Sequence, residues 1–416
     1  MCGIAGFCNF KEDFEENTDY WNFRLEKMRA VLAHRGNDAR GRFLKKHIGL
    51  SHSRLAIRDI LCGDQPMTRT HNGYEYTICY NGEIYNTDEL IPELSENGFV
   101  CSTTSDTEVI LYAYIHWGAD FVNRLNGIFA FAIWDAAKSR LLLYRDRVGV
   151  KPLFYAIRGD SLVFGSEPKA CFAHPAVKPE LDKQGLQELL AIGPAHTSGL
   201  SLFKDLFEVL PGHFMIYSRD GLHDETYWEL TSREHTESYR DTVAHTRFLV
   251  EDAIKRQMVS DVPVCTFLSG GIDSSIVTAI AANYMNTRGK TLNTFSFDFK
   301  DNDRYFKANA FQPERDLPYV NRMLEEYETA HSYLECDENS LFKALFAAVD
   351  AKDMPGMTDV DSSLLYFCSL VSRKNKVALT GECADEIFGG YPWFYRKELL
   401  ERYGFPWSSD GAPPPC

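Results

Sequence analysis

Val264-Cys-Thr-Phe-Leu-Ser-Gly-Gly-Ile-Asp-Ser-Ser275 passes from a run of strand-forming residues through two glycines into a start rich in serine and aspartate. Val264–Leu268 reads as a buried strand, and 273–285 as the helix that follows it. A turn of this kind aims successive backbone N–H groups and a helix N-terminus at one anion, and Gly270 and Gly271 allow a ligand to come close. The Gly-Lys-Ser/Thr of a Walker loop is missing, so no lysine from this turn reaches a terminal phosphate. A capped, glycine-rich turn also suits any strand-to-helix joint. Two glycines, three serines and an aspartate at the place where parallel sheets bind ligands favour a phosphate cradle.

The rhythm around that stretch repeats. The spacing predicts a helix at about 241–257, then after the cradle a strand at Leu292–Phe297, a helix at 316–327 and a strand at His331–Leu334. Helices at about 338–350 and 361–374 follow, then a strand at Val377–Thr380. Strand and helix in alternation predict an α/β domain with a doubly wound parallel sheet. Its last strand runs into Thr380-Gly-Glu-Cys-Ala-Asp-Glu-Ile-Phe-Gly-Gly390, which places Glu382 and Asp385 at the same carboxyl edge as Asp273. Asp273 and Asp385 together suit a magnesium ion on a polyphosphate. Taken singly, Asp385 and Glu386 are ordinary acids in a first helical turn.

The first half reads as β-rich. Tyr76–Tyr80 alternates and Asn81-Gly82 reads as its turn, with further strands at Ile128–Trp134, Leu141–Tyr144 and Leu162–Gly165. Two helices interrupt, one at about 20–33 and one starting at Ser105, where Ser105 and Glu108 fit a capping box. Polar residues from 218 to 240 suggest the division 1–218, a linker at 219–240, and 241–416. At the start of this half stands Cys2. Removal of Met1 would leave its thiol and a free α-amine on one residue, a nucleophile with its own base. Cys2 also fits a small buried position in an apolar strand. Asn81 and Gly82 suit either a hairpin or an oxyanion hole; Asp106 either a helix start or an anchor for a substrate ammonium; Arg54 either a surface ion pair or a carboxylate fork.

Composition narrows the classes. A chain of 416 residues points to two or three domains, and 44% apolar with 25% charged residues suits an ordinary globular protein. The longest apolar run, Ile128–Trp134, is too short to span a bilayer, and the acidic stretch from Lys11 to Glu16 leaves no secretory signal. Eleven cysteines without a CxxC pair suit reduced thiols, and the expected location is cytoplasmic. A net charge of −15 argues against nucleic acid or an anionic membrane as partner.

Read together, MCGIAGF (1–7), HRGNDARG (34–41), SRLAI (53–57), YNGEIYN (80–86), SDTEVI (105–110), LNGIFAFAIWD (125–135), RDRVGVKPLFY (145–155), FGSEPKA (164–170), LSGGIDSS (268–275) and TGECADEIFGGYPWF (380–394) resemble the glutamine-dependent asparagine synthetase family in its bacterial form. The resemblance covers nearly the whole chain. It implies an N-terminal-nucleophile αββα sandwich (α+β) followed by an α/β ATP-pyrophosphatase domain. It implies glutamine, aspartate and ATP as partners, with Mg2+, and allows a homodimer. On matching positions, Cys2 attacks the glutamine amide, Asn81 and Gly82 hold the oxyanion, and Arg54, Leu55, Ile57, Glu83 and Asp106 bind glutamine. Ammonia then crosses an internal channel. Ser269, Gly270, Gly271, Asp273 and Ser274 grip the ATP phosphates; Leu268, Phe297, Thr380 and Gly381 take the adenosine part; Glu382 stands near the β-aspartyl adenylate.

Two departures matter. Gly356–Ser363 lacks an arginine that some family members carry near the aspartate site, which leaves the acceptor less determined than ATP. Family members also continue past position 416, and a lysine that steadies the adenylation step lies in that further region, so a truncated product with an incomplete second domain is expected. The alternatives are an enzyme that only releases ammonia from glutamine, and a silent assembly partner. LSGGIDSS speaks against a phosphoribosyl or sugar-phosphate amidotransferase, and the complete Cys2 set against a β-lactam synthetase.

Overall fold

The computed structural model describes residues 1–193, 196–308 and 314–401. The ending Ser408–Cys416 lies outside the described residues. Contacts divide the chain into two units, Met1–Thr236 with Val349–Gly356, and Glu237–Ala348 with Met357–Cys416. No helix among the described residues is long and apolar enough to cross a membrane.

The first unit contains β1 (Gly3–Asn9), α1 (Thr18–Ala30), β2 (Ala39–Lys45), β3 (Ile48–Arg54), β4 (Met67–His71), β5 (Tyr74–Ile84), α2 (Thr87–Glu96), α3 (Asp106–Trp117), β6 (Gly127–Asp135), β7 (Arg140–Arg145), β8 (Phe154–Arg158), β9 (Ser161–Gly165), α4 (Pro168–Phe172), α5 (Lys183–Gln187), β10 (Phe207–Glu208), β11 (His213–Ser218) and β12 (Gly221–Thr226). The strands form two antiparallel sheets, ordered β10-β8-β9-β1-β3-β2 and β12-β11-β7-β6-β5-β4. Alternation along β6 explains how they stack. Ala130, Ala132 and Trp134 pack with Ile4, Cys8, Leu50 and Phe164 between the sheets. Phe129, Phe131 and Ile133 pack outward with Val109, Ile110 and Tyr114 of α3. On the far side Ala5 and Phe7 of β1 pack with Trp21, Leu25 and Met28 of α1. A period of two in the strands thus feeds three apolar layers, and the result is the expected αββα sandwich.

Three expectations are corrected here. Asn81-Gly82 is not a turn: β5 runs on to Ile84, with Asn81 opposite Ala130 and Gly82 opposite Phe129. β6 is long enough to pair along this whole stretch, and a Cβ at Gly82 would come within 2.3 Å of Ile128 O. The capping box is only half formed. Ser105 accepts from Thr107 N–H, but Glu108 turns to the N–H groups of Ser102 and Thr103 and to Arg69. Finally, residues given to a linker from 219 include β12, paired with β11 from Gly221 to Thr226.

The second unit contains α6 (Tyr239–Gln257), β13 (Val264–Phe267), α7 (Ile272–Asn286), β14 (Leu292–Phe299), α8 (Asn302–Tyr305), α9 (Leu317–Glu326), β15 (Thr329–Cys336), α10 (Glu338–Lys352, of which the residues from Val349 belong to the first unit), α11 (Thr358–Val371), β16 (Val377–Leu379) and α12 (Ala384–Phe388). The sheet is parallel throughout, in the order β15-β14-β13-β16. The chain winds from β13 outward to β15, then returns to the other side of β13 as β16. That reversal opens a crevice beyond the carboxyl ends of β13 and β16, the two strands that carry the glycine-rich and acidic loops.

Candidate active site

Two sites emerge, one in each unit. In the first, Ile4 faces the layer between the sheets, and the pleat puts Cys2 on that same side. In the opposing sheet Cys79 faces this layer, so Asn81, two residues on, does too. Leu55 N–H donates to Cys2 Sγ at 3.4 Å, and Sγ lies 3.6 Å from Leu55 O. Cys2, Arg54, Leu55, Ile57, Gly82, Glu83 and Asp106 line one small cavity, together with Arg58, Gln65 and Tyr80. Residues more than a hundred positions apart are thereby joined.

The chemistry of this cavity is unfinished in a specific way. Glu83 Oε2, on its wall, and Nδ2 of Asn81, which does not itself line the cavity, are buried without a hydrogen-bond partner among the described residues, although buried polar atoms almost always have one. Asp106 accepts from Tyr80 Oη at 2.8 Å and from Ile84 N–H at 3.1 Å. Burial, then the Asp106 charge, push Glu83 up to about 8, against Arg58 and Lys151. Burial raises Asp106 as well, opposed by Arg58 and by its hydrogen bonds. Such a carboxylate pair is suited to a cation. Burial also raises the Cys2 thiol, opposed by the Leu55 N–H, and burial lowers the Met1 α-amine to about 5.

Arg54 is buried but committed: Nη1 donates to Ile60 O at 3.1 Å and to Asp64 at 3.0 Å, and Nη2 to Arg58 O at 3.3 Å. The guanidinium shapes the 58–64 loop, which forms one wall of the cavity. Sequence reasoning missed Arg58, whose Nη1 donates to Ile84 O at 2.9 Å, and Lys151, whose buried Nζ donates to Met1 Sδ at 3.0 Å. Asp146 places Lys151 by accepting the backbone N–H groups of Phe129, Val148, Val150 and Lys151. Lys151 sits inside the motif RDRVGVKPLFY and Arg58 directly follows SRLAI, but nothing local distinguishes either from a surface charge.

In the second unit, Gly270 takes φ +85°, and a Cβ there would come within 2.9 Å of Asp316 O. Ser274 Oγ accepts from Ser269 N–H at 3.2 Å and lies 3.1 Å from Gly271 O, which fixes the loop at the start of α7. A Cβ at Gly381 would come within 2.8 Å of Asp273 Cβ, so a glycine lets the acidic loop press against the first. A cavity of about 280 Å³ between the loops is lined by Ser269, Gly271, Asp273, Ser274, Thr380, Gly381, Glu382 and Asp385. Leu268, Gly270 and Phe297 do not line it; Phe297 packs against Phe367, with ring centroids 5.0 Å apart. Burial, and then Asp385, push Asp273 upward. This pair is an all-oxygen donor set that fits a hard cation. Among the described residues no group of three or more His, Cys, Asp or Glu could hold a metal alone, so the rest of its shell would come from elsewhere, such as phosphate oxygens.

Residues 1–228 match a glutamine amidotransferase domain and residues 245–413 an asparagine synthase domain. The chain is 48% identical over 408 residues to asparagine synthetase [glutamine-hydrolyzing] 3 of Bacillus subtilis, covering 98% of this chain and 66% of that one. It is 32% identical to asparagine synthetase [glutamine-hydrolyzing] 1 of the same organism, covering 96% of this chain and 60% of that one. It is also 32% identical to a putative asparagine synthetase [glutamine-hydrolyzing] 2 of Methanocaldococcus jannaschii, covering 97% of this chain and 78% of that one. The chain thus spans less than two thirds of the length of the two Bacillus relatives.

Proposed function

The chain belongs to the glutamine-hydrolysing asparagine synthetase family, and on that premise we propose that it takes nitrogen from glutamine at Cys2 and uses it in an ATP-dependent, AMP-forming synthesis of asparagine. The observation that carries this reading is the convergence of Cys2, Gly82, Glu83 and Asp106 on one cavity.

With Met1 removed, the α-amine of Cys2 takes the thiol proton and Sγ attacks the amide carbon of glutamine. Asn81 Nδ2 and the Gly82 N–H stabilise the oxyanion, for which the unpartnered Asn81 donor is suited. Collapse of the tetrahedral adduct expels ammonia, which leaves with the proton, and water cleaves the thioester to glutamate. Glu83 and Asp106 hold the substrate ammonium, with Arg54, Leu55 and Ile57 around the rest of the amino acid.

In the second unit, backbone donors of Ser269–Gly271 and the Ser274 hydroxyl take the β and γ phosphates, with Thr380, Gly381, Leu268 and Phe297 assigned to the adenosine part. The aspartate side chain attacks the α phosphorus, pyrophosphate leaves, and ammonia displaces AMP from the β-aspartyl adenylate near Glu382. A loop rich in backbone donors and without a Walker lysine suits a departing pyrophosphate. Asp273 and Asp385 are the residues to hold magnesium, which when bound neutralises charge on the phosphates. The ten cysteines among the described residues are all free, which suits the cytoplasm, and a homodimer belongs to the same proposal.

The test is a coupled assay on the 416-residue chain with aspartate and MgATP, fed by glutamine or by ammonium. Asparagine and AMP from both nitrogen sources, with glutamate from the first, are expected. Glutamate without AMP would reduce the function to glutamine hydrolysis, and synthesis from ammonium alone would remove Cys2 from its role.

A further inference from the structure

The motif FGSEPKA (164–170) has no part in the reaction described above, yet two of its residues reach the N-terminus. Ser166 holds β1 at both backbone groups of one residue: its N–H donates to Ile4 O at 2.9 Å, and its Oγ accepts from Ile4 N–H at 3.0 Å. Glu167 is buried, and its Oε1 accepts from Arg35 Nη1 at 2.7 Å and from His34 Nε2 at 3.0 Å. Arg35 in turn donates its Nε to the backbone carbonyl of Cys2 at 2.9 Å. Lys169 Nζ stands 3.2 Å from the other Glu167 oxygen and 3.3 Å from Asp353 of the same unit, so the carboxylate is gripped on both sides.

Two glycines make this possible. A Cβ on Gly3 would come within 2.8 Å of Leu32 Cβ, so only a glycine lets the 33–35 turn, with Arg35, lie against residue 2. A Cβ on Gly36 would come within about 2.4–2.6 Å of the Arg54–Leu55 backbone, so the same turn also presses on the peptide whose N–H meets Cys2 Sγ. Although burial opposes it, bonding to His34 and Arg35 holds the Glu167 carboxyl at about 2, and the ion pair is present across the working pH range.

Chain termini fray unless they are tied down, whereas a nucleophile has to be held within a fraction of an ångström. We propose that Ser166-Glu167 is the positioning element of the nucleophile. Ser166 anchors residue 4, Glu167 anchors the carbonyl of residue 2 through Arg35, and the lever between them is Gly3. This inference rests on the assignment of Cys2 as nucleophile.

The experiment compares the wild-type chain with Cys2→Ala and Glu167→Gln in glutamine hydrolysis. Labelling of Cys2 by a diazoketone analogue of glutamine, and by iodoacetamide, is followed by mass spectrometry of the N-terminal peptide. Loss of hydrolysis in Cys2→Ala secures the nucleophile independently of Glu167, and retention of hydrolysis there would remove the premise. For Glu167→Gln we expect kcat to fall about tenfold to a hundredfold, the scale of a charge-assisted hydrogen bond, with KM for glutamine within about threefold. Labelling by the diazoketone, which needs an aligned sulfur, falls in step, while labelling by iodoacetamide, which needs only an accessible one, stays within about threefold. A folded Glu167→Gln with wild-type kcat overturns the proposal, as does an equal loss in both labelling reactions. Should Glu167→Gln not fold, Arg35→Lys decides: it keeps the buried charge but cannot bridge Glu167 and the Cys2 carbonyl, and a wild-type kcat in that variant overturns the proposal equally.

Discussion

Glutamine binding should carry a steep pH dependence of its own, separable from that of the thiol. The ammonium group of the substrate has to meet carboxylates, and Glu83 is pushed up to about 8 by burial and by Asp106. With that value about 1% of Glu83 is ionised at pH 6 and about a quarter at pH 7.5. Only the ionised form is competent, so the apparent dissociation constant scales with the inverse of that fraction. Glutamine should therefore bind about twentyfold more tightly at pH 7.5 than at pH 6, roughly 1.8 kcal/mol. The measurement is calorimetric titration of the Cys2→Ala variant, in which the nucleophilic thiol is gone and no turnover occurs. Glu83→Gln should bind more weakly and lose most of the slope. A change under threefold across this range, or weaker binding at the higher pH, would refute the reasoning. The same raised group has a sign in stability. The folded state holds this proton more tightly than the unfolded chain, so the contribution of Glu83 is complete below about pH 4.5 and is lost as pH rises toward 8.

Three further outcomes are expected. Gly82→Ala puts a Cβ within 2.3 Å of Ile128 O near the end of β5, and should lower the melting temperature by several degrees while abolishing glutamate release, checked by calorimetry and an end-point assay. Gly381→Ala forces the acidic loop away from Asp273, and should weaken ATP binding by tenfold or more, read by fluorescence titration with a nucleotide analogue. Arg58→Leu removes the cation that most strongly opposes protonation of Glu83 and Asp106, and should raise the glutamine KM at pH 7 about tenfold or more, with the loss shrinking above pH 8.

Much of the fold was legible because its signals are local. Alternating Phe and Ala in Gly127–Asp135 marks a strand packed on both faces, and every strand and helix expected between 241 and 380 is found within a few residues of its expected bounds. Asn81-Gly82 misled because a dipeptide common in hairpins carries no information about the length of the neighbouring strand; β6 decides the matter from nearly fifty residues away. The site was legible where a residue bears a distinctive group, as Cys2 and Asp273 do. It was not legible where a common residue becomes special through burial. Arg58, Lys151 and Glu167 look like surface charges in sequence, and their meaning comes from partners up to 150 positions distant. Leu268 and Phe297 show the reverse case, expected beside a ligand yet absent from the wall of the loop cavity.

The alanines of β6 set a dimension on which the first site depends. Ala130 lies opposite Asn81 in register, and with Ala132 it packs against the sheet that contains β1, the strand that follows Cys2. The spacing of the two sheets beside the first site is therefore gauged by methyl groups, the smallest spacers a chiral residue offers. A packed interior is stiff and passes a displacement on, so a bulkier residue at either position would act as a wedge. Turnover should then drop at substitutions the core still tolerates. In a library of variants these two sites would be selected for reach across the sandwich, long before they were selected for survival of the fold.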